Sequence, residues 1–255
     1  MKLFLFDIDG TLFDNDNRIV SQSTITALKK LQENHKIGIA TGRAEFMLYS
    51  IKEIIDIIDY FVLINGQIVK TKNEVLYSKP LPIKSITSLI TDFERLNLAY
   101  GFEGAESEAI SKIDNDVISS FNRLALHLPP INKQFYLQNE VFQLWVFCSV
   151  EEAHQLALKH PEYRFIRWFY HGYDVLPVNA SKNCGIKELL KHLDLGFEDV
   201  VAFGDGDNDY EMIEKVGMGI AMGNATEKVK SVAKYVTDKV NEDGIYNALK
   251  ILKYI

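Results

Sequence analysis

The chain begins with a short apolar run that ends in two carboxylates. Leu3 to Phe6 is apolar enough for a buried strand, and Asp7 and Asp9 follow two positions apart. Because side chains alternate between the faces of extended backbone, both carboxylates are expected to point the same way. Two like charges so close cost free energy unless a cation or a proton lies between them. The pattern therefore predicts a site that holds a cation or a proton at the end of this strand.

A second acidic turn lies far along the chain. Val200 to Phe203 predicts another buried strand, and residues 204–209 follow it with the sequence Gly-Asp-Gly-Asp-Asn-Asp. Carboxylate and amide oxygens crowded into a glycine-containing turn are typical of a site for a hard cation. The turn does not follow the EF-hand pattern, because Tyr210 and Val216 stand where that loop needs glycine and glutamate.

The elements before residue 80 predict an α/β fold. A helix capped by Ser23 follows the first strand, a second strand covers 37–40, a helix covers 46–55 and a third strand covers 60–64. This alternation implies a parallel sheet covered by helices. A parallel sheet can bring strand ends from distant parts of the chain to one edge, so the two acidic turns are expected to converge there.

The alternation stops at a proline-rich stretch, Lys79-Pro80-Leu81-Pro82, which suits a semi-rigid linker. From there to about Asp174 the pattern is that of a second α+β unit. We therefore expect a core domain over 1–80 and 178–255, with an inserted domain over 81–177. The aromatic residues of the insert are expected to serve mostly as core, and 168–173 or 103–106 are expected to lie at its tip.

The composition excludes several classes of protein. The 255 residues carry a formal net charge of −7, which argues against general affinity for nucleic acid. No apolar stretch approaches the roughly 20 residues of a membrane span, and Asp7 and Asp9 interrupt the N-terminal apolar run of a signal peptide. The two cysteines, Cys148 and Cys184, form no metal or redox spacing. We expect a cytoplasmic protein, monomeric or weakly dimeric, without nucleic-acid or membrane partners.

Four motifs resemble those of the haloacid dehalogenase-like (HAD) phosphatases, in the order of that family. The segment Asp7-Ile8-Asp9-Gly10-Thr11 is similar to the first motif, and Thr41, at the end of a strand, to the second. Lys182, at the start of a helix, is similar to the third, and the acidic turn at 204–209 to the fourth. Taken alone, Thr41 also suits a helix N-cap and Lys182 a solvated helix start.

The resemblance implies a Rossmann-like (HAD-like) parallel-sheet core and a role for each motif residue. Asp7 would be the nucleophile and Asp9 the general acid and base. Mg²⁺ would be held by Asp7, the backbone carbonyl of Asp9 and Asp205, with support from Asn208 and Asp209. The candidates for phosphate binding are Thr41, Gly42 and Lys182, and those for further substrate contacts are Arg43 and Asn65.

The position of the insert, between the second and third motifs, looks like the C2-type cap of the Cof-like branch. The segment Ala221-Met222-Gly223-Asn224-Ala225 is also similar to that branch. The resemblance thus implies a Mg²⁺-dependent phosphatase of a small phosphate monoester, such as a sugar phosphate, acting through an aspartyl-phosphate. A sugar phosphomutase of the same fold and a catalytically idle metal-dependent binding protein stay open as alternatives.

Overall fold

The computed structural model describes residues 1–255, which divide into two compact units. The first unit comprises residues 1–43, 47–78 and 181–255, and the second unit comprises 44–46 and 79–180. The bounds expected from the sequence, 1–80 with 178–255 for the core and 81–177 for the insert, stay a prediction. That the second unit is a C2-type cap stays a prediction.

The chain contains thirteen strands and eight α-helices. The strands are β1 (Leu3–Phe6), β2 (Lys36–Ala40), β3 (Tyr60–Leu63), β4 (Ile68–Thr71), β5 (Val75–Ser78), β6 (Ala99–Glu103), β7 (Glu108–Ile110), β8 (Gln143–Phe147), β9 (Tyr163–Arg167), β10 (Gly172–Pro177), β11 (Val200–Gly204), β12 (Met218–Ala221) and β13 (Tyr235–Val236). The helices are α1 (Gln22–Leu31), α2 (Ile83–Arg95), α3 (Asn115–Arg123), α4 (Val150–Lys159), α5 (Lys182–Leu193), α6 (Tyr210–Lys215), α7 (Glu227–Lys230) and α8 (Gly244–Ile251). None of these helices is long and apolar enough to cross a membrane.

The first unit is built on an eight-stranded sheet in the order β13-β12-β11-β1-β2-β3-β4-β5. The strands from β13 to β3 run parallel, and β4 and β5 extend the sheet as an antiparallel hairpin. The predicted α/β fold with a parallel-sheet core is confirmed. Because β1 and β11 are neighbours, the turns that follow them lie side by side at one edge of the sheet.

Both faces of β1 are buried, which explains its continuous apolar sequence. On one face, Leu3 and Leu5 belong to a cluster with side chains of α5 and α6. On the other face, the ring of Phe4 meets the ring of Tyr254 at 5.0 Å, and the ring of Phe6 stacks on that of Phe203 at 4.9 Å. The strand that carries the first acidic turn is therefore held rigidly from both sides.

Two local expectations are wrong. The segment expected to be a helix over 46–55 forms two 3₁₀ segments, Glu45–Ile51 and Ile55–Ile57, and the isoleucines at 54, 55 and 57 disfavour an α-helix only in the second of them. The N-cap of α1 is Ser21 rather than Ser23: its Oγ accepts the N–H of Thr24 at 3.2 Å. Ser23 instead donates to Asp243 Oδ1 at 2.5 Å.

The second unit is built on a five-stranded antiparallel sheet in the order β7-β6-β8-β10-β9. Side chains of α2 and α4 join Tyr100, Phe102 and Leu144 in the apolar core on one face of this sheet. On the opposite face, Phe121 of α3 packs edge-on against Trp145 at 5.4 Å. This is the α+β architecture expected of the insert.

Candidate active site

The first acidic turn begins where β1 ends. The backbone N–H of Asp7 still donates to Phe203 in β11, at 3.0 Å, and the N–H of Gly10 then closes a tight turn onto Phe13 at 2.9 Å. Gly10 has a φ of 76°, a conformation that glycine adopts without strain. A Cβ at this position would also collide with the carboxylate of Asp205. Glycine is therefore required here by both the turn and the acidic neighbour.

Three carboxylates from the two acidic turns meet at this edge of the sheet. Asp7, Asp205 and Asp209 each place a carboxylate oxygen within 4.8 Å of the others. Asp7 and Asp209 are buried and Asp205 is half-buried. The convergence follows from the pairing of β1 with β11, since both turns leave the carboxyl ends of adjacent parallel strands.

Asp209 stabilises the second acidic turn through hydrogen bonds to its backbone. Its Oδ2 accepts the backbone N–H groups of Asp205 at 2.9 Å and Gly206 at 3.0 Å, and its Oδ1 accepts from Lys182 at 2.7 Å. Because the side chain of Asp209 is 0% exposed and its oxygens accept from three protein donors, one of them the ammonium of Lys182, this geometry favours a supporting role for Asp209 over a direct metal bond.

Lys182 lies at the centre of the cluster. Its side chain is 0% exposed, and Nζ donates to Asp7 Oδ1 at 2.5 Å as well as to Asp209. The start of α5 is fixed by Ser181, whose Oγ accepts the N–H of Cys184, and by the close approach of Gly185 to Gly66. Because a Cβ on Gly185 would meet the backbone of Gly66, the helix can bring its lysine this deep only with glycine there.

The electrostatics of the cluster favour an additional positive charge. Burial and the charge of Asp209 raise the pKa of Asp7 to about 7, although Lys182 acts in the opposite direction. Burial and the charge of Asp7 raise the pKa of Asp205 well above its usual range. Burial by itself lowers the pKa of Lys182, but Asp209 and Asp7 outweigh it and raise that pKa, so the ammonium stays charged. Three carboxylates around one ammonium thus need protons or a cation.

The donor set fits a hard divalent cation. All the candidate ligands are carboxylate oxygens, which Mg²⁺ prefers. The raised pKa values of Asp7 and Asp205 mean that their ionised forms are destabilised, and a bound cation would stabilise these ionised forms. Asp7 and Asp205 are the residues best placed to hold it.

Asp9 lies outside the three-carboxylate group. The strand ends at Phe6, so the alternation expected from extended backbone does not reach Asp9. Its two oxygens accept from Arg43 instead: Nη2 donates to Oδ1 at 2.6 Å and Nε donates to Oδ2 at 2.8 Å. The Nη1 group of Arg43 donates to the carbonyl of Met47 at 3.1 Å and to Ser50 Oγ at 3.2 Å. The 3₁₀ segment 45–51 thus orients the guanidinium of Arg43, which in turn fixes the carboxylate of Asp9 through two hydrogen bonds.

The loop after β2 carries the remaining predicted residues. Thr41 is buried, and its Oγ1 accepts the N–H of Arg43 at 3.1 Å, which leaves its own O–H to donate. The N–H of Asn65 donates to the carbonyl of Thr41 at 2.9 Å, and Asn65 Oδ1 accepts from Asn208 Nδ2 at 3.0 Å. Gly42 lies between Thr41 and Arg43 in this loop and is half-buried. The structure therefore links Asn208, Asn65 and Thr41 in one hydrogen-bonded series.

Two residues that contact Asp205, Asn224 and Thr11, were not among the site residues predicted from the sequence. Asn224 Nδ2 donates to Asp205 Oδ2 at 3.1 Å and to the carbonyl of Gly10 at 2.8 Å, so it ties the two acidic turns together. Thr11 Oγ1 donates to Asp205 Oδ1 at 3.3 Å. The available signals were the position of Asn224 in the turn after β12, which pairs with β11, and that of Thr11 within the first motif.

Comparison with known proteins supports the family suggested by the motifs. Residues 4–249 match the model of the haloacid dehalogenase-like hydrolase family. The chain is 38% identical over 252 residues to the "Putative phosphatase YkrA" of Bacillus subtilis (strain 168), covering 98% of this chain and 97% of that protein.

Two solved structures share the fold over its full length. One is the HAD subclass IIB sugar phosphatase BT4131, with a TM-score of 0.93, 30% identity and coverage of 100% of both chains. The other is BT1666 from Bacteroides thetaiotaomicron, described among phosphatases of the HAD superfamily, with a TM-score of 0.91, 30% identity and coverage of 100% of this chain and 96% of that one. The chain therefore belongs to the haloacid dehalogenase-like hydrolase family.

Proposed function

We propose that this chain is a Mg²⁺-dependent phosphatase that hydrolyses a small phosphate monoester through an aspartyl-phosphate. The observation that carries the proposal is the buried carboxylate of Asp7, held by Lys182 beside Asp205 at the edge of the sheet. A carboxylate with one buried cationic partner and a neighbouring cation site is suited to attack an anionic phosphoryl group.

Asp7 attacks phosphorus in line with the leaving oxygen. The bond from Lys182 Nζ to Asp7 Oδ1 orients the carboxylate, and the lysine charge offsets the negative charge of the transferring phosphoryl group. Asp7, the backbone carbonyl of Asp9 and Asp205 would hold Mg²⁺, which would offset the negative charge of the phosphoryl oxygens. The O–H of Thr41 and the backbone of Gly42 bind the phosphate.

Asp9 transfers a proton in both steps of the reaction, the formation and the hydrolysis of the aspartyl-phosphate. It protonates the leaving oxygen and then takes a proton from the water that hydrolyses the aspartyl-phosphate. The paired hydrogen bonds from Arg43 hold its carboxylate in one orientation, so Arg43 is a positioning residue. Direct contacts of Arg43 and Asn65 with substrate stay predictions.

The substrate is proposed to be a sugar phosphate or a similar small metabolite. The similarity to a structure named as a sugar phosphatase supports this class, and so does the similarity, at 27% identity over 272 residues, to the 5-amino-6-(5-phospho-D-ribitylamino)uracil phosphatase YitU of Bacillus subtilis (strain 168). A cytoplasmic location, a monomeric or weakly dimeric state and the absence of nucleic-acid and membrane partners stay predictions.

The test is hydrolysis of p-nitrophenyl phosphate by the purified protein with Mg²⁺ and after its removal by EDTA. We expect activity only with the metal, and a loss of more than about 10³-fold in Asp7→Asn. Asp16→Asn, at an exposed position in the following turn, is the matched control and should keep wild-type activity. Unchanged turnover in Asp7→Asn would show that the nucleophile is misassigned.

Two other outcomes would indicate the alternatives. Isomerisation of a sugar phosphate in the presence of a bisphosphate activator would indicate a phosphomutase. Binding of Mg²⁺ without turnover of any phosphate ester would indicate a catalytically idle binding protein.

A further inference from the structure

The turn that follows the first motif brings an amide group next to Asp9. The amide of Asn15 lies between the carboxylate of Asp9 and the backbone N–H of Gly10, and an amide between an acceptor and a donor has one favourable orientation. In that orientation Nδ2 donates to Asp9 Oδ1 at 2.9 Å, and the amide oxygen accepts the N–H of Gly10 at 3.3 Å. Asn15 is half-buried. It therefore ties the side chain of Asp9 to the backbone of the turn that carries it.

The chain on both sides of Asn15 is held in place. Before it, Asp9 pairs with Phe13 in an isolated β-bridge. Asp14 is buried, and its N–H donates to the carbonyl of Ile19 at 2.9 Å. Its Oδ1 also accepts the backbone N–H groups of the two residues that follow Asn15, at 2.9 Å and 3.2 Å. The amide is thus presented to Asp9 by an ordered turn.

Asp9 accepts three hydrogen bonds, which are divided unevenly between its two oxygens. Oδ1 accepts from Arg43 Nη2 at 2.6 Å and from Asn15 Nδ2 at 2.9 Å, whereas Oδ2 accepts from Arg43 Nε at 2.8 Å. A carboxylate has about four lone-pair sites, two on each oxygen. Both sites on Oδ1 are therefore occupied, and the one site that stays open is on Oδ2.

Arg43 alone does not distinguish the two oxygens of Asp9, because it gives one N–H to each. We propose that Asn15 is a second positioning residue for Asp9, and that it makes Oδ2 the oxygen that exchanges the proton. The Oδ2–H group gives its proton to the leaving oxygen as the bond from phosphorus to that oxygen breaks. Oδ2 then takes a proton from the water that attacks the aspartyl-phosphate. This inference rests on the proposed phosphatase function, in which Asp9 is the general acid and base.

The test compares two esters of similar size in the presence of Mg²⁺. Phenolate is a more basic leaving group than 4-nitrophenolate, so phenyl phosphate depends more on a proton from Asp9 than p-nitrophenyl phosphate does. The kcat/KM is compared because it reports the step in which the leaving group departs. In Asn15→Ala we expect kcat/KM to fall about fivefold more for phenyl phosphate, since one hydrogen bond contributes about this factor. Competitive inhibition by inorganic phosphate should be unchanged, because Asn15 holds Asp9 rather than phosphate.

Asn17→Ala is the matched control in the same turn. Asn17 is exposed, and its Nδ2 donates to Asp14 Oδ2 at 2.6 Å rather than to Asp9. Its replacement weakens the turn without removing a hydrogen bond to Asp9, so it should keep the wild-type ratio between the two esters. Equal losses for both esters in Asn15→Ala, or the same change of ratio in Asn17→Ala, would overturn the proposal, because Asn15 would then act through the shape of the turn.

A stability measurement separates this proposal from the proposed function. Asn15→Ala is compared in the wild-type and Asp9→Ala backgrounds by urea unfolding of the metal-free protein. We expect it to raise the unfolding equilibrium constant about fivefold more in the wild-type background, where Asp9 accepts the hydrogen bond. If the wild type hydrolyses neither ester, the proposed function fails, and the cycle still decides whether Asn15 orients Asp9. Additive effects would overturn that orientation, and coupled effects would support it.

Discussion

Replacing Arg43 tests how Asp9, the proposed general acid and base, is positioned. The arginine side chain donates two hydrogen bonds to Asp9, one to the carbonyl of Met47 and one to Ser50. Arg43→Met keeps the apolar stem but leaves a carboxylate without its cation and two acceptors without a donor. Arg43→Lys keeps the charge but cannot present two parallel N–H groups to one carboxylate.

The expected losses of stability and activity follow from the burial of the Arg43–Asp9 ion pair. Removing one partner of a buried ion pair costs about 3–5 kcal/mol. Arg43 is 4% exposed and Asp9 is 22% exposed, so water recovers part of this cost, and we expect the lower end, about 3 kcal/mol of unfolding free energy for Arg43→Met. A misplacement of about 1 Å costs about 10²-fold in rate, so kcat/KM for an alkyl phosphate should fall about 10²-fold. The kcat/KM of Arg43→Lys for the alkyl phosphate should lie between that of Arg43→Met and that of the wild type.

The diagnostic assay compares leaving groups. An alkoxide leaves only with a proton from Asp9, whereas 4-nitrophenolate leaves readily without one, so Arg43→Met should lower kcat/KM for p-nitrophenyl phosphate several-fold at most. Arg95→Met, at an arginine that is 63% exposed in the second unit, serves as a control for the loss of an arginine. An equal loss of kcat/KM for both esters would refute the reasoning, because it would mean that Arg43 acts on binding or folding rather than through Asp9.

Two further changes test other parts of the structure. Gly10→Ala should cost about 1–2 kcal/mol of stability, because the φ of 76° is strained for alanine. Its Cβ would also press on the carboxylate of Asp205, so the Mg²⁺ concentration for half-maximal activity should rise; an unchanged Mg²⁺ titration would contradict this. Glu103→Gln should alter the pH dependence of stability. The folded-state pKa of Glu103 is raised above its unfolded value of about 4.5, so the wild-type chain loses stability as the pH rises from there through the folded pKa. Urea unfolding of the metal-free protein should therefore show Glu103→Gln gaining stability relative to the wild type as the pH rises above the unfolded value of 4.5, and parallel pH profiles would contradict the expectation.

Much of the fold and of the candidate site could be predicted because the relevant signals are local. The apolar run before Asp7 and that before Asp205 identify buried strands, and the residues directly after them define the acidic turns. Lys182 follows a serine that caps a helix, a pattern contained within four residues. Where two local signals compete, the sequence does not decide: Ser21 and Ser23 are both good N-caps, and the contact of Ser23 with Asp243, far along the chain, selects Ser21.

The amino-acid sequence by itself determined which residues can do chemistry, because residue type, strand ends and caps depend on neighbours along the chain. Only the tertiary structure decided which of them meet. The order of strands in the sheet places Asp7 beside Asp205, and the depth of α5 places Lys182 between Asp7 and Asp209. Likewise, the 3₁₀ segment 45–51 turns Arg43 onto Asp9, and strand pairing in the second unit places Glu103 opposite Gln143. These contacts join residues distant in sequence, and such pairings depend on how whole elements pack rather than on any pattern within one of them.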